Sequence, residues 1–293
     1  MKQFEKISTI DFLNLLPETI EEIKKYSKEE IAFYNDDSKS EEETITRIGL
    51  ADGVLGSWNS TITKKVLDAC PSIKYIGICG TSLTKVDLEE VKKHNIVIKN
   101  VTDYGDEATA EFIFSQLLNL YRGFGKYKFN DFPSELNGKT IGIIGLGAVG
   151  QQVARLALGF RMKVMYYSRS RNHEWENKGA IFSELNNLLS EADVISLHIP
   201  RNLKILGEKE FSLIKPKAVL VNTAIGEVFD LSSFINWIKK GNNFFIVDNQ
   251  EYVKEIKDLP NVIALNQTAG KTIESRERLG RKVVENLKSF LES

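Results

Sequence analysis

Cysteine is scarce in this chain: there are two among 293 residues, Cys70 and Cys79, and they form no CxxC pair. Neither a disulfide framework nor a thiolate zinc site is expected, and a reducing, cytoplasmic setting fits. The histidines, His94, His173 and His198, are few and far apart, so no histidine-rich metal centre is expected. Charge of one sign is also lacking. The chain carries 39 Lys and Arg against 40 Asp and Glu, a formal net charge of −1, which removes the electrostatic case for nucleic acid as a partner. No apolar run approaches the roughly 18 residues that span a bilayer, so no membrane partner is expected. The opening MKQFEKISTIDF contains no continuous apolar stretch of the kind a secretory leader needs. Internal repeats and low-complexity segments are absent. What remains, 42% hydrophobic and 27% charged, is an ordinary globular balance. At about 150 residues per domain the length points to two domains, each able to bury a core without metals or disulfides.

Short apolar runs alternate with amphipathic ones. IAFY at 31–34, ADGVLG at 51–56, SIKYIGIC at 72–79 and IVIKN at 96–100 read as strands. Between them, SEEETITRIGL opens with a capping-box pattern at Ser40 and Glu43, and TKKVLDA and DLEEVKKH read as further helices. Residues 107–127 form a long, apolar helical pattern that Gly123, Gly125 and Pro133 bring to an end. Strands then recur as KVMYYS, DVISLHIP, AVLVNTA, FFIVD and NVIAL. Leu279, Val283, Val284, Leu287, Phe290 and Leu291 fall at helical spacing in a terminal amphipathic helix. Alternating strand and helix argues for an α/β fold of parallel sheets covered on both faces.

The strongest local pattern is TIGIIGLGAVGQQVARLALGFRMKVMYYS: a buried strand, a GxGxxG loop, a helix and a second strand. Gly145 allows the tight turn. Gly147 lets backbone approach a pyrophosphate seated on the helix N-terminus, and Gly150 allows close helix–strand packing. Gly145, Leu146, Gly147, Ala148, Val149 and Gly150 are therefore the candidate phosphate cradle. The end of the second strand selects the cofactor. A carboxylate there would take the ribose 2′-hydroxyl of NAD. Here the residues are Ser168, Arg169, Ser170 and Arg171, and no Asp or Glu occurs between Gly150 and Glu174. Hydroxyl and guanidinium donors suit a 2′-phosphate, so NADP is the preferred cofactor, with NAD the alternative; a solvated surface turn is the other reading of the two arginines.

With these motifs in place the chain resembles the D-isomer-specific 2-hydroxyacid dehydrogenase family over nearly its whole length. GLGAVG resembles the family's cofactor loop, and YYSRSR resembles the strand end of its NADP-preferring glyoxylate and hydroxypyruvate reductases. ADVISLHIP, IKPKAVLVNTAIGE, VDNQE and PNVIALNQTAGKT follow the later landmarks, while VLDACPSIKYIGICGTS resembles the substrate-domain signature. The resemblance implies two Rossmann-like, doubly wound parallel-sheet domains with a cleft between them. The substrate and catalytic domain would be discontinuous, 1–103 plus 271–293, and the dinucleotide-binding domain would be 104–270. It implies a small-molecule substrate and a homodimer through the nucleotide domain, with the 107–127 helix contributing. Cofactor contacts would also come from His198, Pro200, Thr223, Ala224, Ile225, Asp248, Gln267 and Gly270. Substrate contacts would come from Gly80, Thr81 and Ser82, flanked by Cys79 and Trp58. Asn100 and Glu111 sit at family landmarks with a structural reading.

The chain departs from that family where the chemistry is done. The family arginine that follows NTA is Ile225 here, and ahead of Ala269-Gly270 the family histidine is Gln267. The supporting glutamate would fall near Val253, with Glu251 and Glu255 beside it. Isoleucine cannot pair with a carboxylate, and glutamine has no titratable proton to deliver. Candidate catalytic groups are therefore Gln267, Glu251, Lys271 and Tyr104, each also readable as packing or solvated surface. The expected function is hydride transfer between NADP(H) and a small carbonyl, imine or 2-keto acid at an altered site. The alternative is an inactive NADP(H)-binding sensor or scaffold.

Overall fold

The computed structural model describes residues 2–240, 242–248 and 253–293, with the backbone alone at Val253. The chain divides into two compact units, Met1–Tyr104 with Thr272–Ser293, and Gly105–Lys271.

The first unit runs β1 (Ile7–Thr9), α1 (Pro17–Lys24), α2 (Glu41–Ile48), β2 (Gly53–Ser57), α3 (Lys64–Ala69), β3 (Tyr75–Cys79), α4 (Leu88–Lys93) and β4 (Val97–Asn100). The strands pair in parallel in the order β1-β2-β3-β4. Every residue of β2 and β3 is buried, as expected of a parallel sheet with helices on both faces. Ser40 caps α2 by accepting the Glu43 amide. The Glu43 carboxylate takes the Lys39 amide and the Arg47 guanidinium instead of reaching back to residue 40.

One expected strand is absent. Ile31–Tyr34 is irregular, and the first strand is the three-residue β1 instead. The run is tied to β1 by a side chain, Thr9 Oγ1 donating to Ala32 O at 2.8 Å, while Tyr34 lies under the Arg47 guanidinium. A four-residue apolar run carries too little periodicity to separate a strand from buried coil.

The second unit runs α5 (Asp106–Arg122), β5 (Thr140–Ile144), α6 (Ala148–Gly159), β6 (Lys163–Tyr167), α7 (His173–Asn177), β7 (Ala180–Phe182), α8 (Leu185–Glu191), β8 (Val194–Leu197), α9 (Glu208–Leu213), β9 (Val219–Asn222), α10 (Leu231–Lys239), β10 (Phe244–Val247), α11 (Val253–Ile256) and β11 (Val262–Ala264). Its strands pair in parallel in the order β11-β10-β9-β8-β5-β6-β7. From β5 the chain winds first toward β6, then returns to the other side through β8. The order therefore reverses at β5, and the crevice at the carboxyl ends of β5 and β8 is the favoured ligand position in such sheets.

The last helix, α12 (Ile273–Glu292), belongs to the first unit. Thr272 and Ser275 cap it reciprocally. It buries Leu279, Val283, Val284 and Leu287, and Phe290 stacks on Phe4 at a centroid distance of 5.4 Å. Leu287→Ala is expected to destabilise the first unit by about 2–5 kcal/mol, read as a lowered denaturation midpoint in urea at unchanged m-value.

Candidate functional site

In the second unit a candidate nucleotide-binding loop lies at the switch point. β5 is followed by Gly145, whose φ of +97° is left-handed, and a Cβ there would sit 2.1 Å from the His198 carbonyl oxygen. A Cβ on Gly150 would sit 2.1 Å from the Gly145 carbonyl oxygen. Both positions exclude any side chain. Gly147, the N-cap of α6, instead faces open space. The amides of Ala148, Val149 and Gly150 donate to no group among the described residues, so three donors and the positive end of a twelve-residue helix are presented together. That arrangement fits the pyrophosphate of a dinucleotide.

Around it, Ser168 is half-buried and Arg169, Ser170 and Arg171 are exposed at the end of β6, with no carboxylate among them. The Gly145 amide donates to Tyr167 O at 2.8 Å, which ties this turn to the phosphate loop. At the end of β8, His198 Nε2 lies 2.8 Å from Ser196 Oγ. Burial pushes the imidazole down to about 3, so its ring is neutral at working pH and holds no spare proton. Pro200 beyond it is exposed. At the end of β9, buried Asn222 clamps the turn by accepting the Ala224 amide at 3.0 Å. Thr223 and Ala224 are half-buried there, and Ile225 is 50% exposed. At the end of β10, buried Asp248 accepts the Ala269 amide at 3.1 Å and so anchors the 267–270 segment, whose Gly270 packs near Thr109. Gln267 and Lys271 are exposed on that segment. Glu251 lies outside the described residues. Asn222 and Ser196 were not singled out from the sequence, because a buried polar clamp at a strand end carries no periodic signal.

A second candidate loop lies in the first unit, at the carboxyl end of β3. Gly80 is pressed against Trp58, so that a Cβ at 80 would lie 2.7 Å from the Trp58 Cβ, and the indole is 39% exposed beside it. Thr81 is held in place by Oγ1 donating to Val101 O and by its own carbonyl accepting Asn100 Nδ2 at 2.7 Å. The amides of Thr81 and Ser82 donate to no group among the described residues, which leaves a small acceptor-seeking loop. Cys79 lies in the core beneath this loop, and burial pushes its thiol up to about 12, so it offers no thiolate. Tyr104 packs half-buried on the same core, and its carbonyl accepts Arg278 Nε. Elsewhere in this unit Asp68, Glu90 and His94 bring their polar atoms within 4.8 Å of one another, but Lys64 bonds both carboxylates.

Residues 118–266 match the family described as D-isomer specific 2-hydroxyacid dehydrogenase, NAD binding domain. The glyoxylate reductase of Thermococcus litoralis is 31% identical over 272 residues, spanning 84% of this chain and 82% of its own. The chain belongs to the D-isomer-specific 2-hydroxyacid dehydrogenase family. The chain is also 30% identical to the hydroxypyruvate reductase of Blautia hydrogenotrophica over 85% of each chain. Among solved structures it resembles an acyclic imino acid reductase in complex with NADPH and D-Arg, at 32% identity, 98% and 97% coverage and a TM-score of 0.84. It is an NAD(P)-dependent oxidoreductase with a nucleotide-binding domain of this family's type. No helix among its described residues is long and apolar enough to cross a membrane.

Two outcomes follow. Gly145→Ala should abolish NADPH binding in a fluorescence titration while circular dichroism shows the fold retained. The His198 pKa is depressed from 6.5 to about 3, so the unfolded state binds the extra proton. Stability should therefore fall as pH drops below about 6.5, and His198→Gln should flatten that part of a pH–denaturation profile.

Proposed function

We propose that this protein uses NADPH to reduce the C=N bond of a small acyclic imino acid. The observation that carries the reading is the identity of residues 225 and 267. Ile225 and Gln267 stand where the family resemblance sets an arginine and a histidine, and the neutral His198 supplies no replacement acid. Reduction of a ketone needs a proton at oxygen as hydride arrives at carbon. A protonated imine already carries its proton on nitrogen, so iminium and hydride combine to the amine and nothing further must be delivered. The bound nicotinamide supplies the hydride.

The chain's own residues bind and orient. The amides of Ala148, Val149 and Gly150 hold the pyrophosphate, and Arg169 favours a 2′-phosphate. Thr81 and Ser82 offer two amides to the substrate carboxylate, with Trp58 as an apolar wall. The Gln267 side-chain amide can hydrogen-bond the reacting group without titrating. The likeness to the imino acid reductase supports both the cofactor and the substrate class.

The test is a panel followed by NADPH absorbance. Mixtures of an amino acid or amine with a 2-keto acid, which form imines in solution, are expected to turn over, while glyoxylate, hydroxypyruvate and pyruvate alone are not. Comparable turnover of the keto acids alone would overturn the reading. Tight NADPH binding without any turnover would leave a sensor in its place. The double variant Ile225→Arg, Gln267→His is expected to raise kcat/KM for the keto acids by about 100-fold or more, since a positioned general acid contributes on that scale.

A further inference from the structure

The turn after β6 carries two guanidiniums, and their surroundings differ. Arg171 is held bidentately by Glu176, Nε and Nη2 each lying 2.9 Å from a carboxylate oxygen, and its guanidinium lies 5.5 Å from the Phe182 ring centroid. Glu176 is itself saturated. The hydroxyl of Tyr166, a fully buried residue of β6, donates to its Oε1 at 2.7 Å, and His173 Nδ1 lies 3.1 Å from its Oε2. The same Tyr166 oxygen accepts the Asn172 amide at 2.7 Å, and Asn172 Oδ1 accepts the Trp175 amide. The turn is therefore bolted at one end to the buried strand and at the other to α7. These partners hold the Glu176 carboxyl down at about 2, so it stays ionised and the pair with Arg171 persists across the working pH range. Arg169, by contrast, is exposed and makes no hydrogen bond or ion pair among the described residues. Ser168 Oγ turns back onto Ser170 O beside it.

We propose that Arg169 alone reads the 2′-phosphate, and that Glu176 is a positioning residue that withholds Arg171 from it. The inference rests on the NADP(H) reading above. A guanidinium already paired bidentately and stacked has its donors committed, and reaching a phosphate would uncover the Glu176 carboxylate beside a dianion. Arg171 therefore acts by covering Glu176, and Arg169 by contact.

The test measures the affinity of the purified full chain for NADPH, NADH and 2′,5′-ADP, in Arg169→Ala and Arg171→Ala, each with and without Glu176→Gln. Arg169→Ala should weaken NADPH and 2′,5′-ADP by about 10- to 100-fold, the worth of a charge-assisted hydrogen bond, and leave NADH unmoved. Arg171→Ala should cost less, through the uncovered carboxylate, and adding Glu176→Gln should reverse that cost. Unchanged NADH affinity in each variant checks that the domain is folded. An Arg171→Ala loss as large as that of Arg169→Ala, and not reversed by Glu176→Gln, would overturn the proposal. If the unaltered chain binds NADH as tightly as NADPH, the NADP(H) reading fails and the proposal with it, a result separable from the first because it appears before any substitution.

Discussion

A backbone contact organises the nucleotide unit. The His198 carbonyl oxygen lies 2.1 Å from where a side chain on residue 145 would begin, and the Gly145 carbonyl lies equally close to residue 150. Parallel strands β5 and β8 bring these atoms together, with the His198 amide donating to Ile144 O at 2.8 Å. Close approach of β5, β8 and α6 is what aims three unpaired amides into one place. It also pulls His198 into an environment where its ring must be neutral. The grouping of these amides and the lack of an acid at the strand end thus have a common origin in packing.

The turns that present the candidate site residues are held by polar side chains from the strands and helices around them. Asn222 fixes the turn that presents Ile225, Asp248 fixes the segment that presents Gln267, and the Tyr166–Glu176 pair fixes the turn that presents Arg169. Each clamp is buried or half-buried and hydrogen-bonded, which is the condition under which a polar group stabilises one geometry rather than costing desolvation. A substitution at the presented residue can then change the reaction without dismantling the turn. That separation explains how a member of this family can keep its nucleotide-binding architecture while carrying Ile225 and Gln267.

Much of this was legible beforehand. The β5–glycine loop–α6–β6 unit was readable because strand, glycines, helix and strand must follow one another in a fixed order, so the motif is confined to a single stretch of sequence. The terminal helix was readable from six apolar residues at helical spacing, and four of them are buried. The short strands β1 and β7 were not, since three residues carry no period, and Ile31–Tyr34 took the place of β1 in the reading for the same reason. Cys79 adjoins the 80–82 loop in sequence, yet both faces of β3 are buried, so its thiol lies in the core.

The sequence by itself determined the parallel α/β class, the strand–glycine loop–helix–strand unit and the presence of Ile225 and Gln267. These follow from residue identity, local spacing and resemblance, and need no knowledge of distant neighbours. Only the tertiary structure decided that His198 is neutral, that Asp248 anchors the 267–270 segment, and that one of two adjacent arginines is already spoken for. Each of those depends on which groups remote strands and helices bring within hydrogen-bond reach, and on how far they shut out water.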